Sequence, residues 1–354
     1  MQTHYHIMSQ SILPMPPHEA TKVILKNLPS RRMRDVVEKR FGLRGGSAHT
    51  LQAIGKEYKI TRERVRQIEY EALKQLRKEE HLNDIAPVFQ AINAHLVSNG
   101  GIMAEQQLLA GLCENKYHPH VALLLDISPA FQRVAETDDF HQRWAVSKDM
   151  AASAEKIVSS VVKGLEEGKQ TVSMEDLHAS VAHAAKEIRE EAPQDHVIQS
   201  LLGSSKSIHR NPYGEYGLAW WPSINPSGVK DKAYVAIAKA GKPLHFREVA
   251  EVINKAGWSK KKAHPQTVHN ELIKDGRFVL VGRGLYALKE WGYEPGAVRD
   301  VIVSVLKEAH KALTKDEIVA AAAKKRLVKV PTILLNLQNK KLFKRLNDGT
   351  YALV

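Results

Sequence analysis

Four polar side chains that can read DNA bases lie within one short stretch of a predicted helix. They are Arg62, Glu63, Arg66 and Gln67. Arginine matches the two acceptors on the major-groove edge of guanine, glutamine matches adenine, and glutamate accepts from the amine of cytosine. Such side chains near the N-terminus of a helix suit reading of the major groove. We therefore predict that these four side chains, the reading face, contact base edges.

Cations on the same helix are better suited to phosphate, which adds affinity without sequence information. They are Arg64, Lys74, Arg77 and Lys78. The element that must position all these side chains is a helix from Arg62 to Lys78, with Thr61 as its N-cap. An apolar stripe at helical spacing predicts its buried side. This stripe consists of Val65, Ile68, Ala72, Leu73 and Leu76.

The stretch 50–78 therefore reads as a helix-turn-helix, and it resembles region 4 of the sigma-70 family. The tract TRERVRQIE (61–69) is close to the recognition-helix signature of that family, and LPSRRMRDVVEKRFGL (28–43) resembles its preceding helix. Further positions fall in register: Leu51, Gly55, Lys56, Ala72, Leu73, Leu76 and Arg77. The resemblance covers roughly residues 20–80. It implies promoter DNA as the ligand, read at the minus-thirty-five element, and docking on the β flap of RNA polymerase core.

The rest of a sigma factor has no counterpart that we identify in the sequence. That family needs an aromatic-rich helical segment to melt the downstream promoter element, and only residues 1–19 precede the resemblance. Their prolines and polar residues predict a disordered tail. We therefore expect a detached region 4 module that does not open promoters.

Charge is spread unevenly along the 354 residues, whose formal net charge is +13 at pH 7. Residues 22–78 carry about +10, residues 229–289 about +8 and residues 290–354 about +5, whereas residues 82–221 carry about −7. A basic chain favours a polyanionic partner. Two basic ends around an acidic middle predict two nucleic-acid contacts with a spacer between them.

Other functional classes find little support in the sequence. The single cysteine, Cys113, suits a reducing cytoplasm and is expected to be buried. No apolar run is long enough to span a membrane, and the N-terminus does not read as a signal peptide. The histidines lie in no metal-ligand framework, and no nucleophile or phosphate-binding motif is present. We therefore predict no enzyme activity, cofactor, metal or membrane association, and a cytoplasmic, nucleoid-associated bacterial or phage protein.

The remaining sequence shows a weak internal repeat. Pro119, Pro193, Pro265 and Pro331 each open a predicted helix. Two β-like runs around a turn follow each of these helices. Three helices and a hairpin describe a winged helix, so the predicted fold is mainly α, with a helix-turn-helix followed by tandem winged helices. The predicted domains lie at 20–80, 82–148, 150–221, 229–289 and 297–354.

The winged helix at 229–289 resembles the HARE-HTH family. The resemblance is carried by PLHFREVAEVINKAG (243–257) and HPQTVHNELIKDGRFVLVGRGLYAL (264–288), with a wing matched at Phe278, Gly282, Gly284, Tyr286 and Leu288. This family is shared by restriction enzymes, chromatin-associated proteins and the delta subunit of bacterial RNA polymerase. The resemblance implies DNA binding or polymerase association and leaves both open.

Polar residues of this winged helix form a second predicted contact with DNA or polymerase. An arginine at the tip of its wing suits a minor groove. The set comprises Lys260, Lys261, Lys262, Gln266, His269, Asn270, Lys274 and Arg283.

Taken together, these features predict a transcription regulator that binds double-stranded promoter-type DNA through its helix-turn-helix. Two alternatives stay open at this point. One is a delta-like accessory subunit that binds RNA polymerase first and DNA weakly. The other is the DNA-recognition component of a restriction or modification system, although no nuclease or methyltransferase motif supports it.

Overall fold

The computed structural model describes residues 12–190, 192–293, 296–326 and 328–354. The chain divides into two compact units, residues 1–209 and residues 210–354. Both consist mainly of α-helices with small antiparallel strand pairs, which confirms the predicted fold class. Within the described ranges, no helix has the length and hydropathy needed to cross a bilayer.

The first unit begins with the helix-turn-helix. Its helices are α1 (Pro17–Leu25), α2 (Arg31–Phe41), α3 (Leu51–Tyr58) and α4 (Arg62–Leu76). The predicted disordered tail is wrong from residue 12 onwards, because Leu13 is buried in the core and Pro17 already lies in α1. The part of that prediction on residues 1–11 lies outside the described residues.

A winged helix follows in the same unit. Its elements are α5 (Glu79–Leu82), α6 (Ala86–Ser98), β1 (Ile102–Ala104), α7 (Glu105–Leu112), α8 (His118–Ile127), β2 (Gln132–Val134) and β3 (Arg143–Ala145). The strands form an antiparallel sheet in the order β1-β3-β2, with Trp144 opposite both Met103 and Arg133. Cys113 is buried after α7, as predicted.

The next three helices are the last of the first unit. They are α9 (Lys148–Gly168), α10 (Met174–Arg189) and α11 (Asp195–Ser204), with the short strands β4 (Ile208–Arg210) and β5 (Tyr216–Leu218) after them. The prediction that Pro193 opens a helix is wrong. The carbonyl oxygen of Gln194 is the first acceptor of α11, taking hydrogen bonds from Val197 and Ile198, so Pro193 lies before the cap. Pro119, Pro265 and Pro331 do lie in first helical turns.

The second unit contains two further helix–hairpin segments. The first comprises α12 (Val229–Ala240), β6 (Leu244–His245), α13 (Phe246–Ala256), α14 (Pro265–Lys274), β7 (Phe278–Gly282) and β8 (Leu285–Leu288), with the sheet order β6-β8-β7. The second comprises α15 (Val298–Ala309), α16 (Lys315–Lys325), α17 (Val330–Leu337), β9 (Phe343–Arg345) and β10 (Tyr351–Leu353). Each segment has its own apolar cluster, one around Ile237 and Val268, the other around Ile302 and Ile333.

The helix-turn-helix shares its core with α8. Ile24 of α1, Val37 of α2 and Leu76 of α4 are fully buried in one cluster with Val121 and Leu124 of α8. Burial of such side chains contributes about 1.5–3 kcal/mol each, so this shared cluster is a main source of stability for the unit. The helix-turn-helix is therefore built into the first unit.

The helix α11 is also covered. It packs on β1 of the preceding winged helix, where the Ser200 hydroxyl donates to the carbonyl oxygen of Ile102 over 2.9 Å. The His196 ring bonds the carbonyl oxygen of Ser98 through Nε2 at 2.7 Å. Packing against neighbouring elements thus leaves α8 and α11 less surface for binding a partner.

Candidate nucleic-acid interface

The helix α4, which carries the predicted reading face, is held by an N-cap and by a tight turn. The Thr61 hydroxyl accepts a hydrogen bond from the backbone N–H of Arg64 over 3.1 Å, as predicted for an N-cap. In the turn, Lys59 adopts a left-handed conformation, and Ile60 donates its N–H to the carbonyl oxygen of Gly55 over 2.9 Å. A Cβ at Gly55 would lie 2.8 Å from the oxygen of Ile60. Glycine therefore allows the close approach that sets the angle between α3 and α4.

The buried side of α4 anchors it to α2 and α3. Val65 packs with Val36 and Ile54 in a small cluster of fully buried side chains. An ion pair of 3.0 Å between Arg40 Nε and the Glu69 carboxylate adds a second link between α2 and α4. The helix thus presents one fixed face to solvent.

That face carries the predicted reading face. Its four side chains are exposed, as is Arg64 between them. Two pairs form on this face: Arg66 donates to Glu63 through Nη2 over 2.7 Å and Nε over 2.9 Å, and Arg64 donates to Gln67 over 3.0 Å. The hydrogen bond from Arg66 lowers the pKa of the Glu63 carboxyl, so that group stays ionised. Because these pairs are exposed, they are weak and exchangeable for base edges.

The predicted phosphate contacts divide into two groups. Arg64, Lys74 and Lys78 are exposed. Arg77 is exposed as well, but its guanidinium also donates to the backbone oxygen of Asp126 near the end of α8. The helix is also shorter than predicted, because it ends at Leu76. The backbone N–H of Lys78 donates to the carbonyl oxygen of Gln75 in a turn, and Lys78 is the N-cap residue of α5.

The second predicted contact is arranged around α14. Val268 and Leu272 face the core, whereas Gln266, Asn270 and Lys274 recur every four residues on the exposed side. His264 caps the helix, its Nδ1 accepting from the N–H of Gln266 over 3.3 Å. The structure thus brings these three predicted residues together on one exposed face.

His269 of α14 belongs to a run of rings that sequence reasoning missed. The centroid of its ring lies 4.5 Å from that of Phe246 and 5.8 Å from that of Tyr286. The ring centroids of Phe246 and His245 lie 4.4 Å apart. His269 is therefore half-buried and less available to DNA than predicted. The spacing of apolar residues within any one element does not predict this cluster, because its rings come from α13, α14 and β8 together.

The three lysines and the wing arginine flank α14. Lys260, Lys261 and Lys262 are exposed on a loop that Asn254 fixes by two hydrogen bonds to Ala263. Arg283 is exposed at the wing tip. In the described ranges, no group of histidine, cysteine or carboxylate side chains could hold a metal ion.

Comparison with known proteins identifies both modules. Residues 24–78 match the family described as Sigma-70, region 4. Residues 229–291 match the HARE-HTH family, whose description includes ASXL proteins and the restriction endonuclease HTH domain. Both are DNA-binding helix-turn-helix families, not catalytic ones.

Individual sigma factors resemble a short part of the chain. RNA polymerase sigma factor RpoD of Neisseria gonorrhoeae is 47% identical over 60 residues, which are 17% of this chain and 9% of that protein. Sigma factor SigA of Lactococcus lactis subsp. cremoris is 54% identical over 46 residues, 13% of each chain. SigA of Clostridium acetobutylicum is 52% identical over 54 residues, 15% of this chain and 14% of that protein.

The chain thus spans only a small fraction of the length of these relatives, 9% to 14%. The segment that matches the sigma-70 region 4 family, residues 24–78, contains α2, α3 and α4 of the helix-turn-helix and the end of α1. One segment of this chain thus matches the sigma-70 region 4 family and another matches the HARE-HTH family, and both matches support a DNA-binding helix-turn-helix protein.

Proposed function

We propose that this protein is a transcription regulator that reads promoter-type duplex DNA through α4 without melting it. The observation that carries the proposal is the arrangement of α4: its apolar side is buried, its N-terminus is capped, and Arg62, Glu63, Arg66 and Gln67 are exposed together. A helix so presented fits a major groove. The weak exposed pairs among these side chains can open when base edges replace them.

The HARE-HTH winged helix supplies the second DNA contact in this proposal. Its exposed Lys260, Lys261, Lys262 and Arg283 lie on either side of α14 in sequence, and the surrounding residues are strongly basic. Two linked contacts raise avidity by about 10²–10⁴-fold when both reach DNA at once. The acidic segment with its covered α8 and α11 would then be a spacer.

Docking on RNA polymerase is the finer part of the proposal, and it rests on the sigma-factor likeness. A delta-like accessory subunit would need polymerase binding without base preference. A restriction or modification component would need base preference without polymerase. Both properties can be measured separately on the full chain.

The test is selection of bound duplexes from a random library by the full chain, at fixed salt concentration. A single enriched motif under one major-groove footprint supports base reading by α4. Uniform recovery of all sequences would overturn it. Retention of the protein on purified polymerase core, in a parallel experiment, decides between the regulator and the restriction component.

A further inference from the structure

A concave site of about 300 Å³ opens between α1, α2 and α8 in the first unit. Cationic or titratable side chains dominate its lining. They are His18, Lys22 and Lys26 of α1, Arg34 of α2 and His120 of α8, with Glu38 as the carboxylate in the lining. A volume of this size lies at the lower end of the range for small-molecule sites.

The positive charge of the site is not neutralised from within. Glu38 is engaged by Arg44, which lies outside the lining. Arg34 donates from Nε to the carbonyl oxygen of Leu25 over 3.0 Å, and this bond orients its guanidinium. Among the described residues, the two terminal nitrogens of Arg34 have no hydrogen-bond partner. An oriented guanidinium with two free donors is well suited to a bidentate oxyanion.

His120 adds a titrating group to this site. The Thr21 hydroxyl donates to the carbonyl oxygen of His18 over 3.0 Å, so its oxygen accepts from His120 Nδ1 at 2.7 Å. Nε2 of the neutral ring is then unprotonated. Burial, and secondly the neighbouring His18, lower the pKa of His120. The other charged groups of the lining are Lys22, Lys26, Arg34 and Glu38. A bound anion would favour the imidazolium and give it a counter-charge.

The site lies on the side of α2 away from the DNA-reading pair of helices. Val36 packs on Ile54 of α3 and Val65 of α4. Arg34 is two residues away, which places it about 200° around the helix from Val36. A duplex bound along α4 is therefore not positioned to fill the site with its own phosphates.

We propose that this cavity binds a small phosphate ester, with Arg34, Lys22, Lys26 and His120 as its contacts. A phosphate group supplies a dianion near neutral pH and several acceptor oxygens, which match this lining. Such a ligand would touch α1, α2 and α8 at once. It would therefore stabilise the junction that joins the helix-turn-helix to the first winged helix.

The test uses the full chain and pyrophosphate as the probe, with binding followed by calorimetry at constant ionic strength. No DNA is present, so the outcome is independent of the proposed function. We expect saturable binding of one pyrophosphate. Arg34→Gln, and separately the double variant Lys22→Gln/Lys26→Gln, should each weaken it by about tenfold or more. The matched control Arg31→Gln/Lys56→Gln removes two exposed cations of the same module outside the lining and should bind normally.

A second measurement isolates His120. Sulfate keeps its charge between about pH 6 and pH 8, so any change in its affinity over this range reflects protonation of groups on the protein. We expect tighter binding at the lower pH, and a smaller pH dependence in His120→Asn, whose amide can still donate to Thr21. Absence of saturable pyrophosphate binding overturns the proposal. Equal weakening in the lining variants and the Arg31→Gln/Lys56→Gln control also overturns it, because the binding would then follow net charge alone.

Discussion

Arg77, at the C-terminal end of α4, donates a hydrogen bond from Nη2 to the backbone oxygen of Asp126 at the end of α8, over 3.0 Å. The Asp126 carboxylate lies 3.4 Å from the same nitrogen. Arg77 thus links α4 to the first winged helix. Its predicted role as a phosphate contact competes with this internal bond.

Replacing Arg77 by alanine should therefore lower the free energy of unfolding by about 1 kcal/mol, because the variant lacks a charge-assisted hydrogen bond at a partly exposed site. Lys74→Ala, on the exposed side of the same helix, should leave unfolding unchanged. Urea denaturation of both variants checks this. Equal stability of the two variants would show that the Asp126 link does not matter for folding.

The wing of the HARE-HTH module depends on Gly284. Its φ is +67°, and a Cβ there would lie 2.5 Å from His245 Nε2. Gly284→Ala should destabilise the protein by about 1–3 kcal/mol through strain and collision. Gly276→Ala, in the same module with open space around it and no unusual φ, is the matched control. Thermal unfolding at the same temperature for the two variants would contradict the claim that the turn requires glycine at position 284.

Arg277 links α12 to the C-terminal end of α14 in the same module. It donates to Asp231 of α12 over 2.9 Å and to Asp275 after α14 over 2.6 Å. Burial raises the pKa of Asp231, but the hydrogen bonds from Arg277 and Ser227 outweigh it and hold that pKa below its ordinary value. The hydrogen bonds from Arg277 likewise lower the pKa of Asp275 from its ordinary value.

A lowered carboxyl pKa contributes stability that is present above the unfolded value, near pH 4, and is lost as pH falls through the folded value. Arg277→Gln should therefore cost about 2 kcal/mol at neutral pH and flatten the loss of stability below about pH 4. Urea denaturation over that pH range measures it. Asp316→Asn, an exposed change in the second unit, is the control; a wild-type acid profile in Arg277→Gln would refute the coupling.

The proposed second DNA contact should appear in the salt dependence of binding. Replacing Lys260, Lys261, Lys262 and Arg283 by alanine should reduce the slope of log K against log salt by about 0.9 for each phosphate that the variant no longer neutralises. The preferred DNA sequence should stay the same. An unchanged slope would mean that this winged helix does not touch DNA, and the polymerase-binding alternative would then explain it better.

The helix α4 was predictable from the sequence because its determinants are local. Thr61 supplies the cap, and Val65, Ala72 and Leu76 recur at helical spacing, so position and buried side follow from neighbouring residues. The end of the helix was less predictable: the charged residues Arg77 and Lys78 suit a helix and a turn equally well. Contacts that depend on distant segments were not predictable at all.

The junction with α8 illustrates this limit. Thr21 and His120 are separated by 99 positions, and neither local sequence predicts the hydrogen bond between them. The pairing of Glu63 with Arg66 was similarly missed, because both residue types also suit base reading. The contact of α11 with β1, through the hydrogen bond of Ser200, was also missed, because it depends on how the whole unit packs.

Base reading by α4 is best tested by the base preference of three single variants of the full chain, measured on random duplexes at one salt concentration. Arg62→Ala and Gln67→Ala should each cost about 1–3 kcal/mol on the preferred sequence and relax the preference at one position. Lys74→Ala should weaken all sequences alike and leave the motif intact. If all three variants lose affinity equally on preferred and random DNA, α4 does not read bases and the proposed function is wrong.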